Sequence, residues 1–582
     1  MNRIQIFENG INVVFEITDD KEVKLLHFSA LPFDENNIAS NAGYDLVELR
    51  VDGKNTRGCK LRFKEIKDLN NSFGRKLEIT CFDDVKGFET VSHIQFYTGT
   101  QVARVWTEVN NRGTVKCTLE QISSFILAGI DKEGILPQDK KMRVGLCLGT
   151  YFEKLQWQFF PPDEVGHRQA NDHIRMGYIE NTETASALMW QSEHRYSLPL
   201  ELTENEGHLR LVLSGKTRKF EQSFWGTDPQ LAPGESFISS CCSVCAVKGG
   251  FDEAVGEMTK YRRIVRRKSL DNKLLPVIFE DSISFLWEDD TTEIGLLMID
   301  AAAEAGCEYY CTYPETFDHR LHDSGELRVI TDYIRKKGMG AGAKLSVHVD
   351  AIDELVRKCG VGYIKLDEDL CDENDNGCIS QLDDVLARHK GLITGDCYCC
   401  GIRTICIPMF DSPTEVVTMA SVVCPENAEI WCRPTFTGFS ENAVFNMVGA
   451  MLLRIHLNDM LVMLADEARD IIKEGIAVYK RIRSDLKDAL PFFPLGVPQK
   501  TDSWTALGLD CGKRKYLAVW RMWGDDHCVI PLKCCSAEGY SISCIYPSFN
   551  EEKFGYDSND RTVTAEFEYI HTARLFMLEE LP

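Results

Sequence analysis

The sequence has no apolar run long enough to cross a membrane. Its most apolar stretch, Ala443 to Leu457, is interrupted by Arg454 and His456 and falls short of the roughly 20 residues a spanning helix needs. The opening residues, Met1-Asn2-Arg3-Ile4-Gln5-Ile6-Phe7-Glu8, lack the apolar core of a signal peptide, so the expected location is the cytoplasm. Basic charge is also in short supply. The chain carries 65 Lys and Arg against 89 Asp and Glu, a formal net charge of −24. That balance argues against nucleic acid or an anionic membrane as a partner and for high solubility. No internal repeat or low-complexity segment is visible. Cysteine is plentiful at 23 residues, but a metal-ligand framework is lacking. Adjacent pairs such as Cys241-Cys242 and Cys534-Cys535 are poor disulfide partners, and in a cytoplasmic chain most thiols serve as small buried apolar groups. The cluster Cys397-Tyr398-Cys399-Cys400 is followed by no Cys or His pair at zinc spacing, so free, unmetallated thiols are expected there.

What is present fits a multidomain globular protein. At 582 residues the chain is too long for one core, and about two to four domains are expected. Up to about Gly249 the hydrophobic period is two. Short β-branched and aromatic runs such as Val13–Ile17, Lys76–Thr80 and Val102–Trp106 are separated by turn signals such as Asn9-Gly10 and Asp52-Gly53. This pattern predicts a large antiparallel β-sandwich over residues 1–250. Trp190 is read as core. Over 251–275 the period changes to three and four, with basic residues gathering towards the end, which predicts a linker helix.

From 276 to 492 strand and helix alternate, the mark of parallel β-α units. Strands are expected at Pro276–Phe279, Glu308–Thr312, Ala341–Val347, Gly362–Leu366, Leu392–Asp396, Thr404–Phe410 and Glu429–Arg433. Helices over Asn442–His456 and Asp466–Leu490 frame a short eighth element near Leu461. Almost no room for a helix is left between strands five and six. The pattern predicts a (β/α)8 barrel lacking one helix. Residues 493–582 return to period two and predict a small C-terminal β-sandwich.

The barrel reading converges on Gly362-Tyr363-Ile364-Lys365-Leu366-Asp367-Glu368-Asp369, an apolar strand that runs straight into acid. Side chains at that end of a parallel barrel converge on a ligand. Lys365 and Asp367 are two apart and share one face of an extended strand. A cation there keeps a carboxylate ionised, as a nucleophile requires. The same residues also fit a solvated charge cluster at a strand end.

The layout, together with Leu286-Trp287, Ile299–Gly306, Asp332–Arg335, Phe445–Val448 and Lys473–Tyr479, resembles glycoside hydrolase family 36, the retaining α-galactosidases and their relatives. The resemblance runs over essentially the whole chain. It implies hydrolysis of an α-linked glycoside by double displacement, with a carbohydrate as partner and no metal or organic cofactor. It also implies possible homo-oligomers assembled through the N-terminal sandwich. Lys365-Leu366-Asp367 matches the family motif whose aspartate is the nucleophile. Of the family's Cys-x-Ser-Gly-Gly-x-Arg, only Cys397, Gly401 and Arg403 match. Tyr313-Pro314-Glu315-Thr316 stands in place of the Asp-x-Gly-Trp sugar clamp, and Lys344 in place of a tryptophan.

The second carboxylate of a retaining pair, about 5 Å from the first, is assigned to Asp411 after strand six. Apolar Met409 and Phe410 precede it and would raise its pKa. The competing reading, which the residues favour slightly, makes Asp411 a cap for a helix starting at Pro413. Asp281 after strand one and Trp287 are candidate sugar contacts. Arg403 would hold a hydroxyl or pair with the acid cluster. Glu315 is a weaker substitute carboxylate, and Lys344 a cation that would favour an anionic sugar. The other reading is a catalytically inactive relative that binds carbohydrate or serves in assembly.

Overall fold

The computed structural model describes residues 2–38, 43–52, 54–55, 61–149, 155–165, 174–193, 200–205, 207–216, 230–266, 270–281, 291–312, 326–345, 350–366, 384–396, 405–409, 412–433, 440–458, 461–535, 539–549 and 552–581. Among them, contacts divide the chain at Val265/Arg266 into two compact units.

The first unit is built from antiparallel sheets of three, six and ten strands. The first hairpin shows how local chemistry sets register. Asn9 and Gly10 both take left-handed backbone angles, φ 49° and 90°, and such a turn matches the twist of the strands it joins. Strands Asn2–Glu8 and Ile11–Ile17 are thereby paired with Glu8 opposite Ile11. Alternate residues point inward to one apolar core that includes Val13, Phe15, Leu77, Ile79, Val105 and Trp190. Trp190 is core, as expected, and lies against Gly177, where a Cβ would collide with the indole. Helix Phe251–Val265 packs its Ala254, Val255, Met258 and Tyr261 face inward, the period-3.6 stripe of an amphipathic helix.

The second unit holds the barrel and two smaller sheets. Eight parallel strands hydrogen-bond in the order five, four, three, two, one, eight, seven, six. They are Ile278–Glu280, Tyr309–Thr312, Gly340–Leu345, Val361–Leu366, Ile393–Asp396, Ile405–Met409, Ala428–Cys432 and Arg454–Leu457. Strands five and six are the two ends of this order, and residues 397–404 between them lie outside the described residues. Helices Thr291–Ala305, Glu326–Lys336, Pro413–Val422, Ser440–Met451 and Asp466–Leu486 follow strands one, two, six, seven and eight. The chain thus has the (β/α)8 and β-sheet architecture expected.

One element is corrected. The helix read as Asn442–His456 ends at Met451, and Arg454–Leu457 is the eighth barrel strand, while Leu461–Met463 is a 3-10 turn. A mostly apolar run does not separate strand from helix by periodicity. Here the gap between strands seven and one decides, because Arg454–Leu457 pairs with both.

After the barrel, a five-stranded sheet (Leu490–Phe492, Trp504–Asp510, Arg514–Arg521, Thr572–Glu580, Tyr540–Tyr546) and a three-stranded sheet (His527–Pro531, Thr562–Glu566, Lys553–Asp557) enclose one core containing Leu517, Val519, Ile530, Val563, Ala565 and Phe576. This is the small C-terminal sandwich.

Candidate functional site

Alternation along the fourth barrel strand sorts its side chains. Ile364 joins the outer core with Leu327, Ile352 and Leu355. Tyr363 joins the inner layer with Ile278, Cys311 and Ile393. Its ring fits because two neighbours lack a Cβ: at Gly342 a methyl carbon would stand 2.7 Å from the ring, and at Gly395 it would collide with the phenol oxygen.

Lys365, two residues on, is fully buried, and its ammonium hydrogen-bonds Glu280 at the end of strand one, itself 1% exposed. The same ammonium lies 4.1 Å from the ring centroid of Trp431 on strand seven. Buried charges persist only when paired, and a cation over an indole face gains further in a desolvated setting. Glu280 is fixed from behind as well, since Asn458 Nδ2 donates to its backbone carbonyl at 2.6 Å and Arg433 Nε donates to Asn458 at 3.2 Å.

A second ionic group lies on strands seven and eight. Arg454 pairs with Asp271 at 3.0 Å and with Glu429 at 2.9 Å. His456 Nε2 stands 3.5 Å from Glu429. Burial pushes the His456 pKa well below the ordinary histidine value, with the positive charges of Arg454 and Lys365 adding to the effect. His456 is therefore a neutral imidazole at pH 7, one that keeps both a hydrogen-bond donor and an acceptor inside the barrel.

Of the residues singled out in the sequence, Lys365 lies inside the barrel. Lys344 is half-buried on strand three, in register with Lys365. Asp281 is buried and accepts a 2.6 Å hydrogen bond from the Tyr310 hydroxyl, while Tyr310 stacks on Phe279. Asp281 is thus engaged with the outward-facing residues of strands one and two, and Glu280 is the carboxylate of strand one that meets Lys365. Asp367, Asp411, Trp287, Glu315 and Arg403 lie outside the described residues. Ser412 takes the cap position of helix Pro413–Val422, without a side-chain capping bond.

Sequence reasoning missed Glu280, Trp431, Glu429 and His456. Two signals were available: a glutamate ending the apolar run Pro276–Phe279, and the two-residue spacing of Arg454 and His456 inside an apolar stretch.

No protein-family model matches the sequence, and no curated protein matches it. Solved structures do match. The galactosidase domain of the α-galactosidase–sucrose kinase AgaSK superposes with TM-score 0.75 at 12% identity, over 100% of this chain and 99% of that one. The family 36 α-galactosidase AgaA of Geobacillus stearothermophilus gives 0.76 at 11% identity, over 100% of both chains. A β-arabinopyranosidase gives 0.59 at 12% identity, over 99% of this chain and 100% of that one. This chain therefore has the fold of the family 36 glycoside hydrolases, from end to end.

Proposed function

We propose that the protein is a retaining glycoside hydrolase acting on an α-galactoside-like sugar. The observation that carries this reading is the end-to-end likeness to family 36 α-galactosidases, together with Lys365 on the fourth barrel strand, two residues before Asp367. Asp367 attacks the anomeric carbon while Asp411 protonates the departing oxygen, leaving a glycosyl ester on Asp367. Asp411 then takes a proton from water, which attacks the anomeric carbon from the opposite face, displaces the Asp367 carboxylate and releases the sugar with its original configuration. Lys365 holds positive charge beside the nucleophile strand, and Asp281, Trp287, Arg403, Glu315 and Lys344 are the proposed sugar contacts.

Activity on simple α-galactosides should be weak. A clamp aspartate and an aromatic wall of the resembled family are missing, with Tyr313 and Lys344 at their positions. Two such contacts are worth about 3–6 kcal/mol in the transition state, a few hundred- to tens of thousandfold in rate. The test is hydrolysis of a nitrophenyl α-galactoside and of a nitrophenyl β-L-arabinopyranoside, which has the same ring configuration without the exocyclic carbon. The first-formed anomer is read by NMR. Retention of configuration, and loss of turnover in Asp367→Asn, are expected. Turnover surviving Asp367→Asn would sink the assignment. An acidic α-glycoside assayed beside the neutral one, with Lys344→Ala as control, tests whether Lys344 selects an anion.

The second reading is a carbohydrate-binding protein without turnover. The full burial of Lys365 against Glu280 and Trp431 favours it, since a lysine so engaged has little reach for a substrate hydroxyl. Raffinose binding with no hydrolysis of either nitrophenyl glycoside would select this reading.

A further inference from the structure

Trp431 and Arg433 stand two residues apart at the C-terminal end of barrel strand seven, the end at which barrel side chains converge on a ligand. Both are half-buried. The Trp431 ring covers the Lys365 ammonium at 4.1 Å, yet Lys365 and its partner Glu280 are 0% and 1% exposed. The indole therefore lies between that ion pair and the solvent of the barrel mouth. Its Nε1 is buried without a hydrogen-bond partner. The part of the ring that meets solvent is carbon, the surface on which the C–H face of a pyranose packs.

Arg433 is fastened at one nitrogen only. Its Nε donates to Asn458 Oδ1 at 3.2 Å, and its guanidinium carbon stands 5.9 Å from the Trp431 ring centroid. Asn458 is itself held at both ends: Nδ2 donates to the Glu280 carbonyl at 2.6 Å, and the backbone N–H donates to the Cys432 carbonyl at 3.0 Å. Among the described residues the two terminal nitrogens of Arg433 make no hydrogen bond, and no carboxylate pairs with them. Glu280 is committed to Lys365, and Glu429 to Arg454. A planar fork fixed at Nε and open at its terminal nitrogens suits a carboxylate bound through two hydrogen bonds. Lys344, in register with Lys365, adds positive charge from strand three.

We propose that Trp431 and Arg433 make the barrel mouth a site for an acidic pyranose. The sugar ring lies on the indole, and a carboxylate in place of the exocyclic hydroxymethyl group takes the Arg433 fork. This rests on the barrel being the sugar site of the reading above, and it narrows the substrate to an α-linked uronide. Arg433 then selects the substrate without touching the reacting atoms.

Calorimetric titration of the full chain with methyl α-D-galactopyranosiduronate and with methyl α-D-galactopyranoside compares two ligands that differ only at that carbon. The uronide should bind about 10- to 100-fold more tightly, the range of one charge-assisted contact. Arg433→Gln should bring the two within about threefold. Arg433→Lys, which keeps the charge but loses the fork, should retain part of the preference. A partly unfolded variant loses both ligands alike, so the ratio of the two affinities reports Arg433 itself. Trp431→Leu should weaken both ligands about tenfold, and Trp431→Phe, which keeps a ring, should weaken them less. The nitrophenyl α-D-galacturonide should likewise exceed the nitrophenyl α-galactoside in kcat/KM, a preference lost in Arg433→Gln. Preferential binding of the uronide with no turnover of either glycoside would remove the glycosidase reading and leave the Trp431–Arg433 site standing. Equal or tighter binding of the galactoside, a preference unchanged in Arg433→Gln, or no binding of either ligand overturns the proposal.

Discussion

Lys365 and Glu280 form an ion pair with almost no exposure, so each charge depends on the other. Glu280→Gln would remove the buried carboxylate that the Lys365 ammonium bonds and is expected to destabilise the protein by about 3–5 kcal/mol. Replacing both residues by Met should cost much less, because no charge is then stranded. Urea unfolding of the single and double variants measures the difference, and equal losses would show that the pair itself contributes little. His27 gives a pH signature. Burial pushes its pKa down to about 4 from the ordinary 6.5, with Lys132 adding to the effect. The unfolded chain then binds more protons than the folded one between these values. Stability associated with His27 is fully present above pH 6.5 and lost as pH falls towards about 4. Melting midpoints across this window should fall steadily in the wild type and less steeply in His27→Gln.

At the scale of elements, the barrel strands depend on small residues facing large ones. Gly395→Ala on strand five would drive a methyl group into the Tyr363 hydroxyl, and Glu429 Oε2 would lie 3.2 Å from it. An overpacking cost of about 1–3 kcal/mol is expected, read as a lower denaturation midpoint. An unchanged midpoint would mean that Tyr363 can swing aside. Seven of the eight barrel strands were legible in the sequence as short, mostly apolar runs set between helical periods or turn residues. The eighth was not. The two-residue spacing of Arg454 and His456 was its one sign in the sequence, and the partner that explains it, Glu429, comes from the neighbouring strand. The candidate site was legible only in part. Lys365 stood out through its spacing from Asp367, whereas Glu280 and Trp431 reach it from strands one and seven, about 65 to 85 residues away in sequence.

Across the whole molecule the dominant physical fact is the net charge of −24. Self-repulsion on this scale opposes compactness and is screened by salt. Raising sodium chloride from about 10 to about 150 mM should raise the melting temperature by about 2–4 °C, the shift that roughly 1 kcal/mol produces in a domain of this size class. A fall instead would show that surface ion pairs such as Lys64–Glu89 outweigh the repulsion. Among the described residues no helix is long and apolar enough to cross a membrane. By itself the sequence determined the order of sandwich, barrel and sandwich, since hydrophobic period and turn chemistry are local properties that each segment carries alone. Only the tertiary structure decided which charges meet. Glu280 with Lys365 and Arg454 with Glu429 are brought together by strand order and register, and a buried charge is tolerated only where the fold delivers its partner.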